Sequence, residues 1–189
     1  ILINLLFICM ALNVKAQDFV NGDLEGPFSN LIPPVSWQHV PNTEVYCLAT
    51  SSLQATPDVT GISGPSPAIS GTPFSGTSFI SGLHSDPTPS LLFHEGIMQQ
   101  VSGFIVGETY TLNFHQANMK QINAYDPSGG WAIYMNGILE YTSPSSVNFN
   151  NPNDINLDWE PRSYNFTANA TVINFQFLPN DDDSDIGTP

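Results

Sequence analysis

The sequence predicts an all-β fold, an antiparallel β-sandwich. Apolar and polar residues alternate in many short segments, and turns rich in Gly, Pro and Asn separate these segments. The clearest case lies between residues 94 and 117, where two alternating segments flank bends at Gly103 and Gly107. No segment repeats its apolar residues at the helical period. Short strands with one apolar face each are typical of two antiparallel sheets packed together.

Strand candidates follow one another along almost the whole chain. In Thr109–Gln116, the apolar residues Tyr110, Leu112 and Phe114 alternate with polar ones, which places the two sets on opposite faces. The dipeptide Asn136-Gly137 between two other candidates is a hairpin turn signal. The ten predicted strands are Asp18–Asn21, Ser36–Val40, Glu44–Ala49, Thr77–Ser81, Gly96–Val101, Thr109–Gln116, Trp131–Asn136, Ile138–Thr142, Arg162–Thr167 and Thr171–Leu178.

Residues 50–90 are rich in Ser, Thr, Pro and Gly, as a flexible linker would be. Apolar residues, among them Ile62 and Phe74, are nevertheless spread through this segment. A disordered linker would not need them, so we predict long, mostly ordered loops that cross the sandwich.

Residues 1–16 are predicted to be a secretory signal peptide. Ile1–Leu12 is an apolar run too short for a membrane span, and Val14 and Ala16 precede the predicted cleavage point as small residues should. Cleavage would leave residues 17–189 as one secreted or cell-surface domain with no membrane insertion. The chain lacks an initiator Met and stops soon after its last predicted strand. We therefore interpret both ends as boundaries within a larger parent protein with other domains.

The composition argues against several partners. Asp and Glu number 17 against 3 Lys and Arg, which gives a formal net charge of −14 at pH 7. This excess repels phosphate backbones and anionic membrane surfaces, so neither nucleic acid nor membrane is an expected partner. After cleavage, Cys47 is the one cysteine left, so no disulfide can form within the chain. Its alternating surroundings predict a buried, small apolar residue.

Motifs for catalysis are absent, and the sequence predicts a protein that is not an enzyme. His94-Glu95 lacks the second histidine that a zinc protease carries four residues on. Glu95, Glu108, Glu140 and Glu160 lie near predicted strand ends, where a solvated surface role is the ordinary explanation. Two carboxylates that meet only in space can still hydrolyse a glycoside. A hydrolase with an unrecognised site therefore stays open, as a third interpretation beside a binding module and a structural domain.

Two residues form the predicted metal site, Asp23 and Glu25. They lie in the turn Asn21-Gly22-Asp23-Leu24-Glu25 after the first predicted strand, where carboxylates and exposed carbonyl groups cluster. Hard oxygen ligands of this kind suit Ca²⁺, so a structural calcium ion is the predicted cofactor. A second cluster, Asp181, Asp182, Asp183 and Asp185, could also attract a cation, and a solvated acidic loop is the favoured explanation for it.

The outward faces of the strands carry the predicted ligand site. Alternation places Ile133 and Met135 inside and their neighbours outside. Amide side chains offer donors and acceptors to sugar hydroxyls, and aromatic faces stack on sugar C–H surfaces. An ordinary solvated sheet face would show the same residues. The predicted outward set is Asn113, His115, Tyr134, Asn136, Asn165, Asn174 and Gln176, and the predicted carbohydrate site within it is Asn113, His115, Tyr134 and Asn136.

A family resemblance rests on several short motifs spread over nearly all of residues 17–189. They are Asn21-Gly22-Asp23-Leu24-Glu25, Ser36-Trp37, Thr56-Pro57-Asp58, the segment from Gly71 to Gly76, Gln99-Gln100-Val101-Ser102-Gly103, Gly107-Glu108-Thr109-Tyr110, Gly130-Trp131-Ala132-Ile133-Tyr134, Trp159-Glu160 and Tyr164-Asn165-Phe166-Thr167. With these motifs the chain resembles galactose-binding-like jelly-roll domains, found in carbohydrate-binding modules and in secreted surface proteins of Bacteroidetes. The resemblance implies a jelly roll, a non-catalytic role and a structural calcium at Asp23 and Glu25.

The preferred interpretation is a secreted, non-catalytic binding module whose partner is a carbohydrate or a cell-surface glycan. The alternative is a structural or adhesive domain of a surface protein, with no small ligand. A pocket or groove lined by the outward Asn, His and Tyr residues would favour the first, and a featureless face the second.

Overall fold

Every strand that the structure describes pairs antiparallel with its neighbours. The computed structural model describes residues 17–64, 70–84, 92–118, 129–146 and 156–180. In these ranges no helix is long and apolar enough to span a bilayer. The predicted signal peptide, residues 1–16, and the acidic cluster at residues 181–185 lie outside them. The strands are β1 (Gln38–His39), β2 (Asp58–Thr60), β3 (Phe79–Ser81), β4 (Ile97–Ser102), β5 (Thr109–Gln116), β6 (Gly130–Met135), β7 (Ile138–Thr142), β8 (Glu160–Thr167) and β9 (Val172–Asn180).

Three antiparallel sheets contain these strands. The main sheet has five strands in the order β1-β4-β9-β6-β7, and two smaller sheets pair β2 with β3 and β5 with β8. No sheet closes into a barrel within the described ranges. The predicted all-β, antiparallel class is confirmed.

The β6–β7 connection is the tight hairpin that the sequence predicts. Met135 pairs with Ile138, so only Asn136 and Gly137 form the loop. Both have positive φ, 52° and 82°, as a two-residue turn matched to the strand twist requires. Asparagine and glycine tolerate this conformation better than other residues do.

The main core lies between one face of the five-stranded sheet and the β5–β8 pair. Phe166 of β8 contacts Phe175 of β9 edge to face, with ring centroids 5.6 Å apart. Tyr164 stacks on Tyr141 of β7 with centroids 4.7 Å apart. Each buried aromatic side chain removes about 150–250 Å² from water, so these rings dominate the stabilisation. The inward sets predicted on β5, β6, β8 and β9 are confirmed, because Leu112, Ile133, Met135, Phe166, Ile173, Phe175 and Phe177 are all buried in this cluster.

The opposite face of the main sheet is covered as well, which the sequence did not predict. Val40, Cys47, Ala49, Ala55 and Leu178 form a second buried cluster there. Cys47 is therefore the buried small residue that was predicted. The covering chain is residues 41–56, which lie on the outer side of β9.

This cover corrects two predictions. Glu44–Ala49 is not a strand, because Glu44 N–H donates to the Pro41 carbonyl and Cys47 N–H to the Glu44 carbonyl, as in successive turns. Gln176 does face away from the main core, but it is only 1% exposed and not on a solvated face. Alternation assigns a side chain to a face, and it cannot tell whether another segment covers that face.

Two further departures concern the first third of the chain. Asp18–Asn21 is irregular, and Asn21 has a φ of 54° that no strand residue adopts. The segment still packs inward, because Phe19 stacks on Trp37 with centroids 5.3 Å apart. The short strand β2 was not predicted, because all three of its residues are buried and no alternation remains to be read.

Candidate functional site

The four predicted carbohydrate-binding residues do not share one surface. Asn113 and His115 lie on β5 and are exposed on the side away from the main core. Tyr134 lies on the far face of the main sheet, where it packs against the second cluster. Asn136 is exposed in the turn that follows β6. The structure therefore brings together Asn113 and His115, and it separates them from Tyr134 by the thickness of the core.

Tyr134 is engaged within the protein. Its ring stacks on Tyr46 with centroids 4.1 Å apart and an angle of 15° between the planes. Burial raises the pKa of Tyr134, and burial also raises the pKa of Tyr46 to about 12. One face of Tyr134 is therefore covered by the segment 41–56. Asn136 is engaged too, because its Oδ1 accepts a hydrogen bond of 3.0 Å from the Asn174 backbone N–H.

The outer face of β5 and β8 forms a strip without acidic or strongly basic side chains, and all its members except Pro161 are polar. On β5 its members alternate with the core residues, and on β8 they are their cross-strand partners. Thr111 Oγ1 donates to Asn165 Oδ1 over 2.7 Å, which ties the two strands together at the surface. The eight exposed members, in facing pairs, are Thr109 and Thr167, Thr111 and Asn165, Asn113 and Ser163, and His115 and Pro161. We call this surface the polar strip.

An exposed aromatic group borders one end of the polar strip. The ring of Phe74 stacks on His115 with centroids 3.6 Å apart and planes 16° apart. Phe74 is 55% exposed, so it projects into solvent. The ring of Trp159 lies edge-on to that of Phe74, with ring centroids 6.5 Å apart. The Nε1–H of Trp159 donates to the Thr72 carbonyl over 2.8 Å, and this bond anchors the loop that carries Phe74. We call Phe74, His115 and Trp159 the aromatic platform.

Phe74 has only a partial signal in the sequence. It is one of the apolar residues that predicted order within residues 50–90, and nothing in its neighbourhood points to His115. The contact depends on how the loop folds back over β5. Sequence alternation finds neighbours on one strand or on paired strands, so it misses such a contact.

The predicted calcium residues are placed differently from a cation site. Oε1 of Glu25 accepts a hydrogen bond of 2.6 Å from the Thr77 backbone N–H, and Oε2 accepts one from the Thr77 hydroxyl. These donors lower the pKa of Glu25. A Cβ on Gly76 would overlap with Oε1 of Glu25 where it lies, and Gly76 has a φ of +67°, a conformation that favours glycine.

The rest of the acidic turn gives calcium little support. Asp23 is exposed, and the Asn21 carbonyl accepts hydrogen bonds from Trp37 Nε1 at 2.9 Å and Leu24 N–H at 3.1 Å. Ca²⁺ needs six to eight oxygen ligands. Among the residues that the structure describes, no three His, Cys, Asp or Glu side chains are grouped to hold a metal ion. The oxygens of this turn do not fit a calcium ion as they lie, and calcium binding stays a prediction.

One of the four glutamates with a predicted surface role is buried. Glu95 is 7% exposed, and Asp58 on β2 is 8% exposed. Burial raises the pKa of Glu95 to about 8, with a smaller contribution from the charge of Asp58. Burial alone raises the pKa of Asp58 to about 6. The surface explanation is wrong for Glu95, whereas Glu108 and Glu140 are exposed as expected.

Comparison with known proteins identifies no relative. No protein-family model, no curated protein and no solved structure matches the chain. The resemblance to galactose-binding-like domains therefore stays a prediction, and the function has to be argued from the surfaces described above.

Proposed function

We propose that this chain is a non-catalytic, extracellular carbohydrate-binding module of a larger protein, and that it binds its ligand on the polar strip and the aromatic platform. The observation that carries the proposal is the exposed Phe74–His115 stack beside a strip without charged side chains. Phe74 is 55% exposed, and a ligand that covers this apolar surface removes it from water, which favours binding.

The chemistry of the strip suits sugar hydroxyls. Asn113 and Asn165 each present an amide that can donate and accept, and the hydroxyls of Thr109 and Ser163 do both as well. From Thr109 to His115 the strip runs for six residue steps, about 20 Å at the strand rise. Several sugar rings fit along that length, with one of them on the Phe74 ring.

The charge of the protein restricts the class of glycan. The net charge is −14 at pH 7, and the strip has no lysine or arginine to offset it. Sulfated and uronate-rich polysaccharides would be repelled over roughly a Debye length, about 8 Å at physiological salt. A neutral glycan is therefore the favoured ligand.

The jelly-roll fold, the secreted or cell-surface location and the parent protein with other domains belong to the same proposal. The jelly roll is supported by the β5–β8 pair facing the five-stranded sheet across one core. Export is supported by the apolar run and small residues before Gln17. A structural calcium at Asp23 and Glu25 is not part of this proposal, because Thr77 and Ser78 already supply donors to Glu25.

A structural or adhesive surface domain is the second candidate. The loop before β1 favours it, because Leu31, Ile32 and Val35 are 58%, 64% and 70% exposed. Exposed apolar residues close together mark contacts with other protein surfaces. A hydrolase has less support, because Asp58 and Glu95 are buried and glycoside hydrolysis needs two carboxylates at an open cleft.

Affinity electrophoresis and a glycan array test the proposal. The unmodified domain, residues 17–189, should be retarded by at least one neutral polysaccharide and not by sulfated ones. High protein concentration is needed, since a single module with one aromatic contact binds weakly. Failure to bind any neutral glycan would overturn the proposal and favour the adhesive domain.

A further inference from the structure

A buried acidic pair lies where β2, the chain after β3 and the chain before β4 meet. Asp58 of β2 faces Ser81, the last residue of β3. Glu95 pairs with Leu83 in two ways, because its backbone N–H donates to the Leu83 carbonyl over 3.1 Å and its Oε2 accepts from the Leu83 N–H over 2.9 Å. One carboxyl group thus completes the pairing of residues 82–84 with residues 94–96.

The pairing is closely packed. A Cβ on Gly82 would lie 2.6 Å from the Glu95 carbonyl oxygen and 2.8 Å from the ring of Trp131, so glycine is needed for this approach. One residue further out, His84 and His94 form an isolated antiparallel bridge with ring centroids 4.8 Å apart. Such packing leaves the Glu95 side chain little contact with water.

Around Glu95, neither His94 nor Arg162 supplies a neutralising positive charge. Asp58 faces it from β2, and His84 and His94 flank it on the two paired segments. His94 stays neutral, because its Nδ1 accepts from the Leu48 N–H at 3.0 Å and its Nε2–H donates to the Pro179 carbonyl at 3.0 Å. Arg162, the one strong cation in the described part of the chain, is bound 2.5 Å from Glu160.

We propose that Glu95 is a proton-operated latch: with its proton it holds residues 82–84 against residues 94–96, and without it this pairing opens. A negative Glu95 would lie buried beside a second carboxylate, and the one hydrogen bond from the Leu83 N–H offsets only part of the cost of removing the charge from water. Opening lets water reach Glu95 and separates it from Asp58. Only residues 82–84, which follow β3, would be released, so the conformational change would be local.

The direction of the pH effect follows from the two protonation states. Burial, with the charge of Asp58, raises the pKa of Glu95 from 4.5 to about 8 in the closed form. The closed form therefore binds more protons than the open form between these values, and it is favoured most at low pH. The opening equilibrium constant should rise up to tenfold per pH unit from pH 4.5 to about 8 and level off above.

Amide hydrogen exchange measured by NMR tests the latch. The reporters are the Leu83 and Glu95 amides, whose hydrogen bonds cross the pairing. At each pH, the exchange rate of a reporter amide in the wild type is divided by its exchange rate in Glu95→Gln. The pH dependence of exchange from an unprotected amide is the same in both proteins, so it cancels in this ratio. The ratio should rise towards tenfold per pH unit, because glutamine keeps an oxygen for Leu83 and has no proton to lose.

Two further variants sharpen the test. Asp58→Asn removes the negative charge that faces Glu95 and leaves Glu95 buried. The total rise of the exchange ratio with pH should therefore become smaller without vanishing. Glu140→Gln removes an exposed carboxylate on β7, outside the latch, and should leave the wild-type rise in place. If Glu95→Gln fails to fold, the Phe175 amide in the main sheet of the wild type becomes the reference. A ratio that does not change with pH overturns the latch in either design.

Discussion

Tyr46 and Tyr134 lie face to face, with ring centroids 4.1 Å apart. Tyr134 belongs to β6, and Tyr46 belongs to the segment 41–56 that covers the outer face of the main sheet. The stack therefore packs the irregular segment 41–56 against β6. Alternation alone predicts that Tyr134 contacts a ligand, and in the structure one face of its ring packs against Tyr46.

Tyr134→Ala should lower the free energy of unfolding by on the order of 1–3 kcal/mol, since it removes a half-buried ring and leaves Tyr46 without its partner. A double-mutant cycle with Tyr46→Ala should give a coupling of about 0.5–1.5 kcal/mol in urea denaturation. Ile105→Ala is the control, because Ile105 is 63% exposed in the loop before β5. Additive effects of the two tyrosine changes would show that the stack contributes nothing.

Phe74→Ala should abolish retention by the neutral polysaccharide that binds the unmodified domain. The ring is 55% exposed, so the melting temperature should change little. Leu53→Ala removes a similarly exposed side chain from the segment over the opposite face of the main sheet and should leave retention intact. Equal retention by the Phe74 variant and the wild type would remove the aromatic platform from the site.

Asn113→Ala should weaken the same binding by up to about tenfold in Kd, because one neutral hydrogen bond contributes about 0.5–1.5 kcal/mol. Asn113 is exposed on the polar strip, so the fold should be unaffected. Titration calorimetry with the retained glycan measures the change. Unchanged affinity, with Phe74→Ala still inactive, would limit the site to the platform.

The sequence predicts strands well where one face of the strand meets the core and the other meets water. Thr109–Gln116 was predicted with its observed bounds for this reason. Ile138–Thr142 is mostly exposed, and its prediction rested on the Asn136-Gly137 turn signal before it. In β2 the residues Asp58, Val59 and Thr60 are all buried, so the alternation disappears. A strand that is buried on both faces shows no alternation of apolar and polar residues, so the sequence does not reveal it.

The candidate site was predictable only in part, because its members meet through a loop. Alternation correctly exposes Asn113 and His115. It has no means to bring Phe74 onto His115, or Tyr46 onto Tyr134, since both contacts come from segments without regular structure. The burial of Glu95 was missed for the same reason, because residues 82–84 fold over it.

Glu25→Gln should lower the melting temperature equally in calcium and in chelator. The carboxylate already accepts hydrogen bonds from Thr77 and Ser78. A glutamine amide would lack the negative charge, and its NH₂ group would face some of these donors in place of an oxygen. Thermal unfolding of wild type and variant under both conditions measures this. A loss confined to the calcium samples, with a wild type destabilised by chelator, would instead support the predicted calcium site.

Export should leave Gln17 as the first residue, either free or cyclised. Phe19 then enters the core two residues later, between Trp37 and Phe175 at centroid distances of 5.3 and 5.2 Å. Mass spectrometry of the secreted protein checks the cleavage after Ala16. A soluble product that retains Ile1–Leu12 would contradict the signal-peptide prediction.

His94 should weaken the fold as the pH falls. Burial lowers the pKa of His94 from 6.5 to about 4, so its contribution to stability is complete above pH 6.5 and is lost as the pH falls towards 4. Asp58 and Glu95 act in the opposite sense over the same range, since burial raises the pKa of both. The effect of His94 therefore has to be read as a difference between variants.

The free-energy gap between wild type and His94→Gln should narrow by up to about 1.4 kcal/mol per pH unit below pH 6.5. Gln116→Leu is the matched control, because Gln116 is buried, donates to the Pro144 carbonyl over 2.8 Å and to Ser146 Oγ over 2.9 Å, and does not titrate. Its destabilisation should be the same at every pH. Urea unfolding between pH 4 and pH 7 measures both gaps, and a constant gap for His94→Gln would mean that the folded protein tolerates the imidazolium.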